Sequence, residues 1–359
     1  MRSMSQMIDT RRILAIDIGG GTQDILLFDA AQPVENCVQL ILPAPTVIVA
    51  GRIRRATAAG QPIFLTGRLM GGGACVSALK RHLRAGLPAY ATPQAALTVR
   101  DNLDEVRQLG VQIVEACPDP AAVTVITGDL DLAHLRAALA PYDVDLPSTV
   151  AVAVQDHGQC LSGRNRVLRF HMWRDLVMAG GSLHDLVYVA PPPHLTRMRA
   201  IQEAYPGAIL MDTAAAAIWG ALEDPLVAAH SAEGLVVLNV GNQHILGALV
   251  QGTRIWGLFE HHTVLVDRAN LRELVRALAT ATLTDEAVLA ANGHGATIHP
   301  EYRPWGGAPF VAVTGPRRAL ADGLGYYPAA PYGDMMLAGA FGLVAAVRQL
   351  SAAESGKEA

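Results

Sequence analysis

Two short stretches concentrate the residues that could hold a phosphate chain and its counter-ion. The first, IDIGGGTQD, places Asp17 at the end of an apolar run, then Gly19, Gly20 and Gly21, then Thr22, Gln23 and Asp24. Glycines let backbone N–H groups approach phosphate oxygens with no β-carbon in the way. A fixed carboxylate such as Asp17 can hold a hydrated Mg2+, and Thr22 adds a hydroxyl donor. A glycine-rich type I′ hairpin that holds nothing is the plain alternative. The second stretch, LNVGNQH, has Asn239 in the place of Asp17, followed by Gly241, Asn242, Gln243 and His244. Two such bends facing each other across a cleft would clasp a phosphate chain from both sides. His244 can reach a phosphate or a metal, or only hydrogen-bond its neighbours. A third stretch, LTGRLMGGG, sets Arg68 ahead of Gly71, Gly72 and Gly73 at a helix start, which suits a substrate anion. Close packing of that helix on a sheet would use the same glycines.

The elements that must position these bends alternate between strand and helix signals. The first bend joins two apolar runs within ILAIDIGGGTQDILLFD, and VQLILPAP (38–45) continues as a third strand. IRRATAAGQ suggests a helix into the strand PIFLTG (62–67), and a further helix runs from Gly71–Gly73 to about Gly86. Strand signals recur at 111–116, 123–128 and 149–155. MDTAAAAIWGALEDPL (211–226) is an alanine-rich helix closed by Asp-Pro. The pattern then restarts about 220 residues on: LVVLNVGNQHILGALV (235–250) has the layout of the opening hairpin, and RIWGLFE (254–260) is its third strand. FVAVTGP (310–316) is a strand entering a glycine turn, and GDMMLAGAFGLVAAVRQL (333–350) is a small-residue helix before a frayed tail. Strands and helices so mixed predict an α/β protein with mixed sheets in two related lobes, residues 1–226 and 227–350, with 351–359 as the tail. Ala214–Ala217 with Gly220, and Ala338–Ala340 with Gly342, give two helices small faces on which they can cross closely and pivot.

Composition narrows the functional classes. Hydrophobic residues make up 51% of the 359 residues and charged ones 17%, enough for two cores. A net charge of −4 argues against nucleic acid or an anionic membrane as partner. The N-terminus lacks an apolar signal core and no apolar run approaches about 18 residues, so a cytoplasmic protein is expected. Cys37, Cys75, Cys117 and Cys160 lack the close spacing of a zinc, iron–sulfur or redox site.

The order of these pieces resembles the actin, heat-shock chaperone and sugar-kinase ATPase superfamily. IDIGGGTQD is similar to its first phosphate motif and VVLNVGNQHILGAL to its second. MDTAAAAIWGALE and DMMLAGAFGLVAAV are similar to its two connecting helices, and FVAVTGPRRALADGL to its adenosine motif. The resemblance implies two ribonuclease-H-like lobes around a cleft holding ATP and Mg2+, with Thr314 and Gly315 beside the adenosine. It also implies that the strand TVAVAVQDHG delivers a polar residue toward the γ-phosphate: Asp156 first, Gln155 second, as base or water positioner. QDHG as a simple chain turn is the alternative. Asp24 resembles the acid of the hydantoinase and oxoprolinase motif GGT-x-T-D, whose group cleaves amide-like rings with ATP. More closely, the opening together with LTGRLMGGG and YATPQAA resembles a bacterial and archaeal family labelled as pyruvate formate-lyase activating enzymes. That label does not suit the chain, because such radical enzymes need three closely spaced cysteines for a cluster.

Asn239 departs from the acid usual in the second phosphate motif, and Thr314-Gly315-Pro316 from the usual glycine pair. The expected activity is an ATP-binding, Mg-dependent phosphotransferase or ATPase acting on a small metabolite or water. The rival is a nucleotide-dependent switch or scaffold with little turnover and a protein partner, and a third possibility is a fold that has lost nucleotide binding.

Overall fold

The computed structural model describes residues 8–159 and 165–355. Strands β1 (Arg12–Ile18), β2 (Thr22–Asp29) and β3 (Val38–Pro43) form an antiparallel meander. Four strands then build a separate parallel sheet: β4 (Ile63–Gly67), β5 (Ala89–Ala91), β6 (Val111–Ile113) and β7 (Val123–Thr127). The chain returns as β8 (Thr149–Val154), β9 (Val187–Tyr188) and β10 (Ile209–Met211), giving a first sheet of order β3-β2-β1-β8-β10-β9. The second half contributes β11 (Leu235–Val240), β12 (His244–Gln251), β13 (Arg254–His262), β14 (Gly295–Ile298), β15 (Phe310–Thr314) and β16 (Tyr327–Pro328). Its sheet order is β14-β13-β12-β11-β15-β16.

The two large sheets repeat one plan. In each, the first strand pairs antiparallel with the second and the second with the third, while a later strand, β8 or β15, lies parallel on the other side of the first. This is the ribonuclease-H-like order, present twice, so the expected α/β fold with two actin-like halves is the observed one.

Alternation along the strands explains how the polar residues reach one place. Ile13 and Ala15 of β1 face the central core, whereas Leu14, Ile16 and Ile18 face the outer core of the first sheet. The same period of two puts Asp17 on the central face. On β2, Leu26 and Phe28 face the centre, so Asp24 does too. In the second sheet Leu235 and Val237 face the centre and Val236, Leu238 and Val240 the outside, which brings Asn239 inward. Leu246 on β12, Leu258 on β13 and Ala312 on β15 set the same inward parity for His244, Glu260 and Thr314. Every one of these polar positions lies near one end of its strand, on the face turned to the other half.

The central core holds the two small-faced helices, Thr213–Leu222 and Ala338–Ser355. They cross with backbone nearly on backbone: a β-carbon on Gly220 would run into the Ala338 carbonyl, and one on Gly342 into the Ala216 carbonyl.

Several local expectations shift. The helix expected over 53–61 begins earlier, at Pro45, because β3 ends at Pro43. Asp224-Pro225 does not stop the chain's helical course: Asp224 accepts from the N–H groups of Leu226 and Val227 and caps a further helix, Pro225–Ser231. The last helix starts at Ala338 and runs through Ser355, into the stretch expected to fray. The parallel sheet β4–β7 has its own hydrophobic cluster within the residues expected to form the first lobe. Among the described residues no helix is long and apolar enough to cross a membrane.

Candidate functional site

The two glycine bends meet. Gly20 lies against the side chain of Gln243, where a β-carbon would come 2.5 Å from Cδ, and Gly21 lies against Asn242, 2.8 Å from Nδ2. None of Gly19, Gly20 and Gly21 adopts the left-handed region, so close approach rather than a type I′ turn is what requires glycine here. The bend itself is closed by Gly19 N–H donating to the Thr22 carbonyl at 2.9 Å. The opposite bend repeats this, with Gly241 N–H donating to the His244 carbonyl at 2.9 Å. Behind the bridged tips opens a cavity of about 300 Å3, lined from the first half by Asp17, Gly19, Gly20, Thr22 and Asp24. Asn239, Gly241, Asn242, Gln243 and His244 line it from the second half, with Thr314 and Gly315 at one side. Gly21 and Gln23 do not line it: Gly21 accepts from Ala44 N–H, and Gln23 donates to the Pro43 carbonyl.

Inside, three buried oxygens have no hydrogen-bond partner: Asp17 Oδ1, Asp24 Oδ1 and Thr314 Oγ1. Asp17 and Asp24 are directly paired across the first hairpin. Burial, then the carboxylates of Asp24 and Asp212, push the Asp17 carboxyl well above the usual range. Burial also pushes Asp24 up, to about 7; the Thr22 hydroxyl opposes this and Asp334 adds to it. Two adjacent carboxyls that resist ionisation and keep free oxygens are suited to a divalent cation, which would reverse both effects.

This arrangement sets a stability trend. A carboxyl raised from 3.8 to about 7 binds its proton more tightly when folded, so its stabilisation is complete below about pH 4 and lost as pH rises through about 7. The metal-free protein should therefore lose stability between about pH 4 and 8, with about 4 kcal/mol as the ceiling for Asp24. Melting temperature measured from pH 5 to 8 in chelator should fall, Mg2+ should restore it at pH 8, and Asp24→Asn should flatten the slope.

Asp156 lines the cavity but is already occupied. Its Oδ1 accepts from Gly158 N–H and its Oδ2 from Met198 N–H, both at 2.9 Å, fixing the strand-end turn onto the Thr196–Ala204 helix. Burial nevertheless raises its carboxyl, against the pull of those two amides. Gln155 donates to Glu260 Oε1 at 2.8 Å.

Arg68 is not brought to the glycines that follow it. It pairs with Glu203 at 2.9 Å, both half-exposed, and stays outside the cavity wall. Arg197 takes the place beside Gly71 instead, bound to both oxygens of Asp129 at 2.7 and 2.8 Å and donating to the Gln155 carbonyl. Gly71, Gly72 and Gly73 do line the cavity, and Gly73 opens the helix Gly73–Arg84. Thr46 anchors that start, donating to the Gly72 carbonyl and accepting from Cys75 N–H.

A buried ion cluster not anticipated from the sequence joins the two halves. Arg169, 3% exposed, holds Asp212 through Nη1–Oδ2 at 2.5 Å and Nη2–Oδ1 at 2.9 Å, and Glu260 through Nε–Oε2 at 2.9 Å. Burial alone would raise Glu260, but the Arg169 guanidinium holds it well below the usual range. His157 and His244, pressed by burial, fall to about 3 and about 4 and stay neutral. The run Glu260-His261-His262 at a strand end was the one local signal for part of this cluster.

A family profile described as "Putative pyruvate format-lyase activating enzyme (DUF1786)" matches residues 70–320. Among curated proteins nothing matches. Among solved structures, a ROK hexokinase from Thermus thermophilus overlaps at TM-score 0.31 with 14% identity, over 97% of this chain and 100% of that one. A ROK family glucokinase from Streptomyces griseus, in complex with glucose and AMPPNP, overlaps at TM-score 0.32 with 13% identity, over 94% and 98%. A ROK family transcriptional regulator, a homolog of the E. coli MLC protein, overlaps at TM-score 0.27 with 8% identity, over 68% of this chain and 37% of that one. At such scores the strand order of the two sheets, not the overlap, identifies the fold.

Proposed function

The chain belongs to the family whose profile spans residues 70–320, and we propose that it binds ATP with Mg2+ in the cleft between its two halves and uses it for phosphoryl transfer to a small metabolite or to water. The observation that carries this reading is the pair Asp17 and Asp24, with unpartnered oxygens beside two glycine bends that confront each other over one cavity. Residues 1–226 and 227–350 would be the two lobes. Asp17 and Asp24 would hold the cation, and Asn239 would add a neutral oxygen where a third charge is usual. Backbone N–H groups at Gly20, Asn242 and Gln243 would face the phosphates, those of Gly19 and Gly241 being taken up in closing the bends. Thr314, Gly315 and Pro316, with Met335 and Met336 near by, would border the adenosine, and Gly72–Gly73 would receive an acceptor's anionic group. When bound, Mg2+ would neutralise charge on the transferring phosphoryl group. Asp156 would position the turn rather than act as base, and Gly21, Gln23 and Arg68 have no part in the proposed contacts. The radical activity in the family's description is not adopted: Cys37 and Cys75 are buried and distant in sequence from Cys117, and Cys160 lies outside the described residues.

Thermal unfolding tests this reading through opposite signs. Asp17→Asn should raise the melting temperature of the metal-free protein, since it removes a buried acid whose ionisation is unfavourable. The same change should abolish most of the stabilisation by Mg·ATP, which for wild type at about 100 times Kd is about 2.7 kcal/mol. No shift with Mg·ATP in wild type would end the proposal.

One observation favours the switch reading: both Asp156 oxygens are held by backbone amides, so no free base stands at the expected place. Single-turnover incubation with labelled ATP separates the two, since tight binding with no product would assign the switch.

A further inference from the structure

Beside the proposed phosphate cleft, and independent of it, three imidazoles converge. His244 at the start of β12 and His262 at the end of β13 are cross-strand partners. His294 enters the turn before β14, held by its backbone N–H donating to the Glu260 carbonyl at 2.9 Å. The rings are mutual neighbours, with centroids 4.6 Å apart for His262 and His294, 4.7 Å for His244 and His294, and 5.2 Å for His244 and His262. One nitrogen from each ring lies within 4.8 Å of the other two.

A purely structural cluster of aromatic rings would not use histidine this way. His294 is 2% exposed, and neither of its ring nitrogens has a hydrogen-bond partner. Nδ1 has the Glu260 carboxylate near it, and leaving the buried Nε2 unsatisfied costs about 1–3 kcal/mol, so a leucine or phenylalanine would serve a core better. Glu260 adds a second indication. Its Oε2 lies 3.4 Å from His294 Nδ1, on the side where an outer carboxylate orients a metal-bound imidazole, which leaves Nε2 for a cation. Glu260 is itself fixed by Arg169 and Gln155, so the ring's orientation is set by two layers of contacts.

We propose that His244, His262 and His294 bind a first-row divalent transition metal ion such as Zn2+, Co2+ or Fe2+ on the second-half wall of the cleft, with Glu260 as the outer-shell carboxylate. Three neutral imidazoles with no inner carboxylate suit these ions and not Mg2+ or Ca2+, which prefer oxygen. Three protein ligands leave a coordination position open, as in catalytic rather than structural sites. Because His244 lines the cavity, that open position faces the cleft. The chain would thus carry two cation sites of different chemistry, an oxygen site at Asp17 and Asp24 in the cavity and a nitrogen site at the histidines, which reaches the cavity through His244.

The test uses full-length protein without a histidine tag, stripped with a chelator and titrated with Co2+ in the absence of Mg2+ and nucleotide. Wild type should take up one equivalent and develop the visible bands of a four- or five-coordinate ion, bleached by one equivalent of Zn2+. His294→Gln and His262→Gln should each weaken Co2+ binding by about 100-fold or more. Should His294→Gln fail to fold, His262→Gln gives the same readout from a less buried ring. The absence of bands in folded wild type up to millimolar Co2+, or an unchanged titration in both variants, would overturn the proposal. Neither result bears on ATP binding, which is measured separately with Mg2+.

Discussion

Arg169→Ala should unfold at markedly lower temperature and denaturant concentration than wild type, with a loss of about 3–5 kcal/mol. The wild-type guanidinium neutralises two buried carboxylates, Asp212 at 6% and Glu260 at 1% exposure, and also donates to the Asp156 carbonyl at 3.1 Å. Removing it leaves two like charges in a low-dielectric core without the guanidinium that neutralises them, the situation in which breaking a buried pair costs most. The pH dependence follows in sign. In wild type, Glu260 sits well below its ordinary 4.5, so its contribution is fully present above that value and lost progressively as pH falls from there through the depressed folded value. Without Arg169 the carboxylates should prefer protonation, and the deficit should shrink from pH 8 toward pH 5. Neutralising the partners as well, in Arg169→Met/Asp212→Asn/Glu260→Gln, should recover much of the loss, because Asn can still cap the Thr213–Leu222 helix as Asp212 does through Ala214 N–H. A loss under about 1 kcal/mol for Arg169→Ala would remove this residue as the tie between the halves.

Gly342→Ala should also destabilise strongly, although helix propensity alone argues the other way. Alanine is preferred over glycine in a helix interior by about 1 kcal/mol. At this position, however, the new methyl group would collide with the Ala216 carbonyl and come 2.6 Å from the Gly220 nitrogen, and both obstacles are helix backbone. Overpacking against groups that cannot rotate away costs typically about 1–3 kcal/mol, and occasionally more. The steric effect should win, giving a net loss near 2 kcal/mol and a lower melting temperature. Gly220→Ala should behave alike, since its obstacle is the Ala338 carbonyl. A rise in stability for either variant would mean that the two helices are not in the close contact described. Gly339 adds a functional reading of the same crossing: a side chain there would displace the Asp17 carboxylate, coupling helix position to the proposed cation site.

The parts of this fold legible in the sequence are those governed by short-range period. The apolar runs ILAIDI and LVVLNV mark the strands, and the repeated hairpin reveals the duplication. The small faces of two distant helices pointed to their close crossing, because only small residues permit it. What escaped is held together by long-range pairing with no local period. Arg169 meets Asp212 across 43 residues and Glu260 across 91, and nothing around LRFHMWRD distinguishes its guanidinium from a surface one. Nearness in sequence to Gly71 suggests Arg68, whereas the fold supplies Arg197, from a helix far along the chain. His262 and His294 were overlooked for the same reason: FEHH and NGHG become neighbours only when β13 pairs with β14. Asp156 was identified by order of elements, which places a residue at a site but does not say where its oxygens point.

The central claim is that Asp17 and the two confronting bends hold a magnesium-bound triphosphate. Calorimetric titration of a non-hydrolysable ATP analogue at pH 8, with and without Mg2+, into wild type and Asp17→Asn tests it most directly. The account predicts one site per chain in wild type, at least tenfold tighter with Mg2+ than without, a difference of about 1.4 kcal/mol or more that Asp17→Asn removes. Equal affinity with and without Mg2+, or no heat in either protein, would contradict it.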